Sequence, residues 1–188
     1  MAVDKRAARL GALALVSSAA CSDDDCGPMG APSSGLVASS VDVTLEYGDL
    51  TSLAGNDCPD PNAPAGVVSI SIEGSQQNGG AGLITLCIPR PDLLTPGVAR
   101  TIGTSQSMAD VRIFDLGGEA DGCTYAFDAT RIPTGRAAGI GVCGNGDSEA
   151  GFALDIDGAV SLRRTCGQTI DTVAVTFVGR VAVSKREI

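Results

Sequence analysis

Residues 139–151, GIGVCGNGDSEAG, hold the densest set of groups with chemical potential in the chain. Gly139, Gly141 and Gly144 stand at G-x-G-x-x-G spacing. Where such a run ends a strand and opens a helix, the helix amides meet a pyrophosphate. Gly146-Asp147-Ser148 places a hydroxyl nucleophile in the same stretch. Neither arrangement has its partners. Gly144 leads into Asn145-Gly146-Asp147, which is turn composition with no helical period after it. The chain has no histidine, so Ser148 has no imidazole to take its proton. The expectation is a short strand over 139–143 and a turn over 144–149. The next strand is expected to begin near Gly151.

Gly-Asp-Ser resembles the nucleophile block of the GDSL esterases. In that family the block lies early in the chain and works with a histidine. Here it lies late and the histidine is missing, so the resemblance implies no esterase. A serine–lysine dyad fares no better, because Lys185, near the C-terminus, is the only lysine after residue 20. Paired carboxylates could run a glycosidase. With no Trp, two Tyr and four Phe, however, a sugar cleft has few flat apolar rings to line it. Calcium needs only clustered oxygen ligands. Asp57, Asp60 and Asn62 form one candidate set, and Asn145, Asp147 and Glu149 another. Neither has EF-hand or nonapeptide-repeat spacing, and Asp and Asn favour turns without any metal. No catalytic residue and no cofactor is assigned. A calcium-dependent binding domain and a carboxylate hydrolase stand as the alternatives.

The elements that must position these groups read as strands. In 41–47, VDVTLEY, Val41, Val43, Leu45 and Tyr47 alternate with Asp42, Thr44 and Glu46, a half-buried strand. Residues 67–73 alternate in the same way. Residues 82–88, GLITLCI, are apolar on both faces and suit the centre of a sheet. Residues 97–103, 110–116 and 123–129 continue the series. No window after residue 21 keeps a helical period. Asp157-Gly158 between alternating runs predicts a tight hairpin, and Gly179 in 171–184 predicts a bulge. About ten short strands joined by Gly, Pro and Asp turns predict an all-β fold. The expected form is a single antiparallel sandwich or barrel, stapled by disulfides. Two connections are long, 48–66 and 89–97. Such loops are where binding often sits. Cys58, in the middle of the first, favours a stapled loop instead.

The cysteines are 21, 26, 58, 87, 123, 143 and 166, seven in all. Cys123 opens one expected strand and Cys143 closes another about one hairpin later, so they are the first choice for a pair. Cys26, Cys58, Cys87 and Cys166 are left for two further disulfides of open connectivity. The odd count leaves Cys21 over.

Cys21 follows Lys5, Arg6 and Arg9, an apolar run over 10–16 and a small-residue segment over 17–20, the order of a secretory signal. Ala19-Ala20-Cys21 resembles the cleavage box of bacterial lipoprotein precursors. There the cysteine is lipidated after cleavage. The resemblance covers this region alone and implies an exported, membrane-anchored protein with its lipid on Cys21. Residues 21–40, rich in Asp, Gly, Pro and Ser, then read as a flexible tether, and 41–188 as the β domain. The net charge is −9, and residues 1–20 hold three of the basic residues, so the rest is more acidic still. That balance argues against nucleic-acid and nucleotide partners. The membrane contact expected is the lipid alone. The reading is a non-catalytic, structural or binding module of the cell envelope.

Overall fold

The computed structural model describes residues 35–94, 97–141 and 150–184. Alternating side chains there divide into a buried set and an exposed set, and the strands follow from that division. They are β1 (Gly35–Ser39), β2 (Thr44–Gly55), β3 (Ser69–Gln76), β4 (Leu83–Ile88), β5 (Ala99–Thr104) and β6 (Val111–Leu116). After them come β7 (Gly118–Ala120), β8 (Cys123–Phe127), β9 (Thr134–Gly141), β10 (Ala150–Cys166) and β11 (Thr169–Ser184). The order β11-β1-β2-β3-β4-β6-β5-β9-β10 closes on itself through β10–β11, giving a nine-stranded barrel. β8 and β7 extend the sheet beyond β10.

Leu45, Ile70, Ile72, Leu86, Ile113, Leu154 and Phe177 fill the interior, each at most 2 % exposed. One pair of strands is not antiparallel. Ile102–Thr104 of β5 run parallel to Val111–Ile113 of β6. Adjacent parallel strands usually need a connection of a dozen residues or more. Residues 105–110 suffice here because only three residues on each strand pair, so the chain doubles back by about 10 Å. Asp110 Oδ2 fixes the loop by accepting from the Thr101 backbone N–H and hydroxyl, both at 2.9 Å.

Several expectations are corrected. Asp157-Gly158 is not a turn. β10 runs straight through it, with Gly158 opposite Gly135 on one side and Phe177 on the other. A Cβ on Gly158 would lie 2.7 Å from Phe177 Cζ, so this glycine makes room for a ring. The hairpin turn is Gly167-Gln168, closing the Cys166–Thr169 pair with Gly167 at φ 58°. Glycine first, at positive φ, is the type II′ preference. The rule about Asp-Gly holds at another place: Asp121 and Gly122, at φ 51° and 75°, join β7 to β8 in a type I′ turn. Gly179 is no bulge either. The ladder is regular across it, and a Cβ there would meet Leu36 Cα of β1 at 2.7 Å. Residues 35–39 are not tether but strand β1, bonded between β11 and β2. Val41 is fully exposed and lies in the link to β2.

Cys123 pairs with Cys166, not with Cys143. β8 bonds to β10 through Thr124–Thr165, and the next opposed pair is the two cysteines, with Cα atoms 4.4 Å apart. Cys58 pairs with Cys87 across 6.2 Å between Cα atoms. The connection after β2 thus folds over the outer face of β3 and is stapled to β4, as Cys58 suggested. Cys21, Cys26 and Cys143 lie outside the described residues.

Strand directions give the barrel two distinct ends. Antiparallel registers place Gly35, Gly55, Ser69, Ile88, Gly141, Ala150 and Ser184 at one end. The connection 56–68 and residues 89–94 and 97–98 lie there. At the other end are 40–43, 77–82, and the turns at 121–122 and 167–168. β10 and β11 overrun the barrel at this end, and β8 pairs with the overrun at Leu162–Thr165. The overrun hairpin and β7–β8 together cover that opening, with the Tyr47 hydroxyl donating to Gly117 O at 3.1 Å.

Candidate functional site

The predicted ligand residues fall into ordinary structural roles. Asp60 Oδ1 accepts the Asn62 backbone N–H at 2.8 Å, a local turn of the Asx kind. Asp57 Oδ2 instead accepts the Ser71 hydroxyl at 2.9 Å, toward β3. The two carboxylates thus serve different elements. Among the described residues no group of three or more Asp, Glu, Cys or His side chains could hold a metal. Gly139 lies in β9 opposite Leu154, and its carbonyl accepts from Gly97 N–H at 2.8 Å. Gly144, Asn145, Asp147, Ser148 and Glu149 lie outside the described residues.

A depression of about 720 Å³ among the described residues lies on the outer face of β9, β10, β11 and β1. Register builds it. Arg136, Asp157, Val178 and Val37 form one cross-strand row, and Ala138, Asp155, Arg180 and Gly35 the next. Odd-numbered Asp155 and Asp157 point outward because Leu154 and Ile156 point in. Arg136 Nε meets Asp157 Oδ1 at 3.0 Å, and Arg180 Nε meets Asp155 Oδ1 at 2.6 Å. The Arg180 hydrogen bond holds the Asp155 carboxyl below its ordinary range. Val37 and Val178 sit side by side, 36 % and 61 % exposed. The patch offers two neutralised ion pairs around an apolar centre. Such a surface suits contact and provides no activated nucleophile. Sequence alternation indicated that Asp155 faces outward, but it read Asp157 as part of a turn. It held no signal for Arg136 and Arg180, which are brought beside them by pairing with β9 and β11.

Two further depressions, about 400 and 410 Å³, adjoin at the opposite end and share Asn78, Ala120 and Asp121. Asp42 and Glu119 also line them. Asp42 lies 3.8 Å from Arg164, which also grips Asp171 through Nε at 2.8 Å. Hydrogen bonds hold four carboxyls low: Asp92 by Arg90, Asp128 by Thr130, Asp155 by Arg180 and Asp171 by Arg164. A general acid needs the reverse, a carboxyl pushed up by burial. Burial, with the Asp115 charge second, does raise Tyr47, and this keeps it a neutral donor to Gly117. No family model matches the chain, and neither the curated proteins nor the solved structures contain a significant match.

Proposed function

We propose that the protein is an exported, lipid-anchored β-barrel domain that acts without catalysis, as a structural or binding module of a cell envelope. The observation that carries this reading is the pair of disulfides, Cys58–Cys87 and Cys123–Cys166. Such bonds persist in oxidising compartments outside the cytosol. They account for four of the seven cysteines. Lipidation of Cys21 leaves Cys26 and Cys143, an even remainder. The distribution of polarity supports attachment by lipid rather than by the barrel wall. A membrane-spanning barrel carries an apolar band outside and a polar lumen. Here aliphatic side chains fill the inside, and ion pairs such as Arg136–Asp157 lie outside.

The absence of histidine from the whole chain and the lowered carboxyls favour recognition over acid–base chemistry. Mass spectrometry of the N-terminal peptide after expression in a bacterium tests the reading. A chain beginning at Cys21 with acyl mass on it is expected. An unmodified Cys21 removes the anchor from the proposal.

A further inference from the structure

We infer that the open edge of β11 at Ile170, Thr172 and Ala174 is a strand-addition site for an extended, basic segment of another protein. The inference gives the binding side of the proposed function a place on the barrel and does not depend on the lipid anchor. β1 pairs with β11 only from Thr176 onward, where Ser39 faces it. Over Thr169–Val175, β11 has β10 on one side and, among the described residues, no strand on the other. Cys166 and Thr169 flank the Gly167-Gln168 turn and bond to each other, so odd-numbered residues of β11 aim their N–H and C=O groups at β10. Even-numbered residues aim theirs the other way. Thr176 meets Ser39, while Ile170, Thr172 and Ala174 hold out N–H and C=O groups that no described strand takes. All three residues are exposed, Ile170 at 66 %. The opposite edge of this end of the sheet, β7, is closed by the Gln76 amide on Glu119. One edge is capped and the other is open.

Charge selects the occupant. Arg164 and Asp171 stand opposite one another on one face of the hairpin, and Asp42 reaches the same guanidinium at 3.8 Å. One cation thus serves two carboxylates, and Asp42 also lines the depression that holds Asp121. A strand laid along β11 turns every second side chain to that face. Lysine or arginine at those positions balances the excess. On the opposite face Arg163 stands beside Thr172, which leaves uncharged β-branched residues for the positions between. A second copy of this chain fits the edge poorly. The two-fold register that makes the most bonds while clearing Ser39 sets Asp171 directly opposite the Asp171 of the other copy, and like charges so opposed are unfavourable. In strand addition of this kind the backbone bonds supply affinity and the alternate side chains specificity.

The test is amide hydrogen exchange, read residue by residue by NMR on the full chain at low salt. The probe is a capped synthetic peptide of alternating threonine and lysine. Exchange at Ile170, Thr172 and Ala174 is expected to slow about tenfold or more at saturation, while Asp171 and Val173, already bonded to β10, change little. Thr172→Pro removes an outward N–H and no β10 bond, so the barrel should fold and the protection vanish. Thr172→Val should keep it. Asp42→Asn should weaken the peptide, and the same peptide with glutamate for lysine should bind at least about tenfold less tightly. Unprotected amides, or unchanged binding by Thr172→Pro, overturn the site, and equal binding of the glutamate peptide overturns its basic occupant. Dimerisation that Thr172→Pro abolishes would make a second copy the occupant and overturn the proposal as well. The mass of the N-terminal peptide reads the anchor separately, so either reading can fail without the other.

Discussion

Gly158 and Gly167 lie nine residues apart in one hairpin and are glycine for different reasons. Gly158 has ordinary strand geometry but no room, since a Cβ would press on Phe177 and on the backbone of β9. Gly167 has open space but φ 58°, where a Cβ strains the backbone. Substitutions separate the two. Gly158→Ala is expected to cost about 1–3 kcal/mol by overpacking, and Gly158→Asn more. Gly167→Ala is expected to cost about 1 kcal/mol, while Gly167→Asn recovers part of it because Asn tolerates the left-handed region. Denaturant midpoints for the four variants read this directly. Equal costs for Ala and Asn at Gly167 would mean that φ is not what selects glycine there. The same contrast explains why Asp157-Gly158 misleads as sequence. Asp-Gly favours a turn locally, but at residue 158 the choice is made by Phe177, 19 residues away, which alternation cannot show.

β7 is a three-residue strand at the edge of the sheet, and such edges invite pairing with other chains. Gln76 occupies that edge. Its Oε1 accepts the Glu119 N–H at 2.9 Å, and its Nε2 donates to the Glu119 carbonyl at 2.7 Å. A single side-chain amide thus does what a neighbouring strand would do. Gln76→Ala would leave two backbone groups without partners. Stability should fall by about 1–3 kcal/mol. Hydrogen exchange should quicken in 118–127 while β3 and β4 keep their protection; unchanged exchange at Glu119 would refute the role. Elements of this kind differ in how far sequence discloses them. β3 was legible because its alternation is local, and β4 because its run of apolar residues is. β7 was not, because three residues make no period. Closure of the barrel depends on β1 pairing with β11 far along the chain, and the Cys123–Cys166 pair depends on β8 lying beside β10, a contact 43 residues apart in sequence. Of the outer patch of Asp155, Asp157, Arg136 and Arg180 only Asp155 was legible, because Asp157 reads as a turn residue in the sequence. Its acids lie on one strand, and its bases come from two others.

At the scale of the whole molecule, covalent and ionic ties act together on a barrel closed by long-range pairing. The Cys58–Cys87 bond spans 29 residues, and closing such a loop in the unfolded chain removes about 3.5 kcal/mol of entropy. The double variant Cys58→Ser/Cys87→Ser should therefore melt roughly 10 °C lower, as calorimetry would show. The ionic ties set the pH profile. Asp92, Asp128, Asp155 and Asp171 are all held below their ordinary range by hydrogen bonds. A carboxyl lowered on folding contributes stability above its unfolded pKa of about 3.9, and loses it as pH falls through the folded value. The chain holds no histidine to titrate between. The melting temperature should accordingly be flat from about pH 8 to 5 and fall below about pH 4. The pairs are exposed and screened by solvent, so each contributes little, and added salt should shrink the acid loss. Arg180→Gln frees Asp155 to titrate near its unfolded pKa, so its share of the loss should vanish from the acid limb while the plateau drops slightly. An unchanged acid limb in Arg180→Gln would show that the Asp155 pair adds nothing to the acid stability of the barrel.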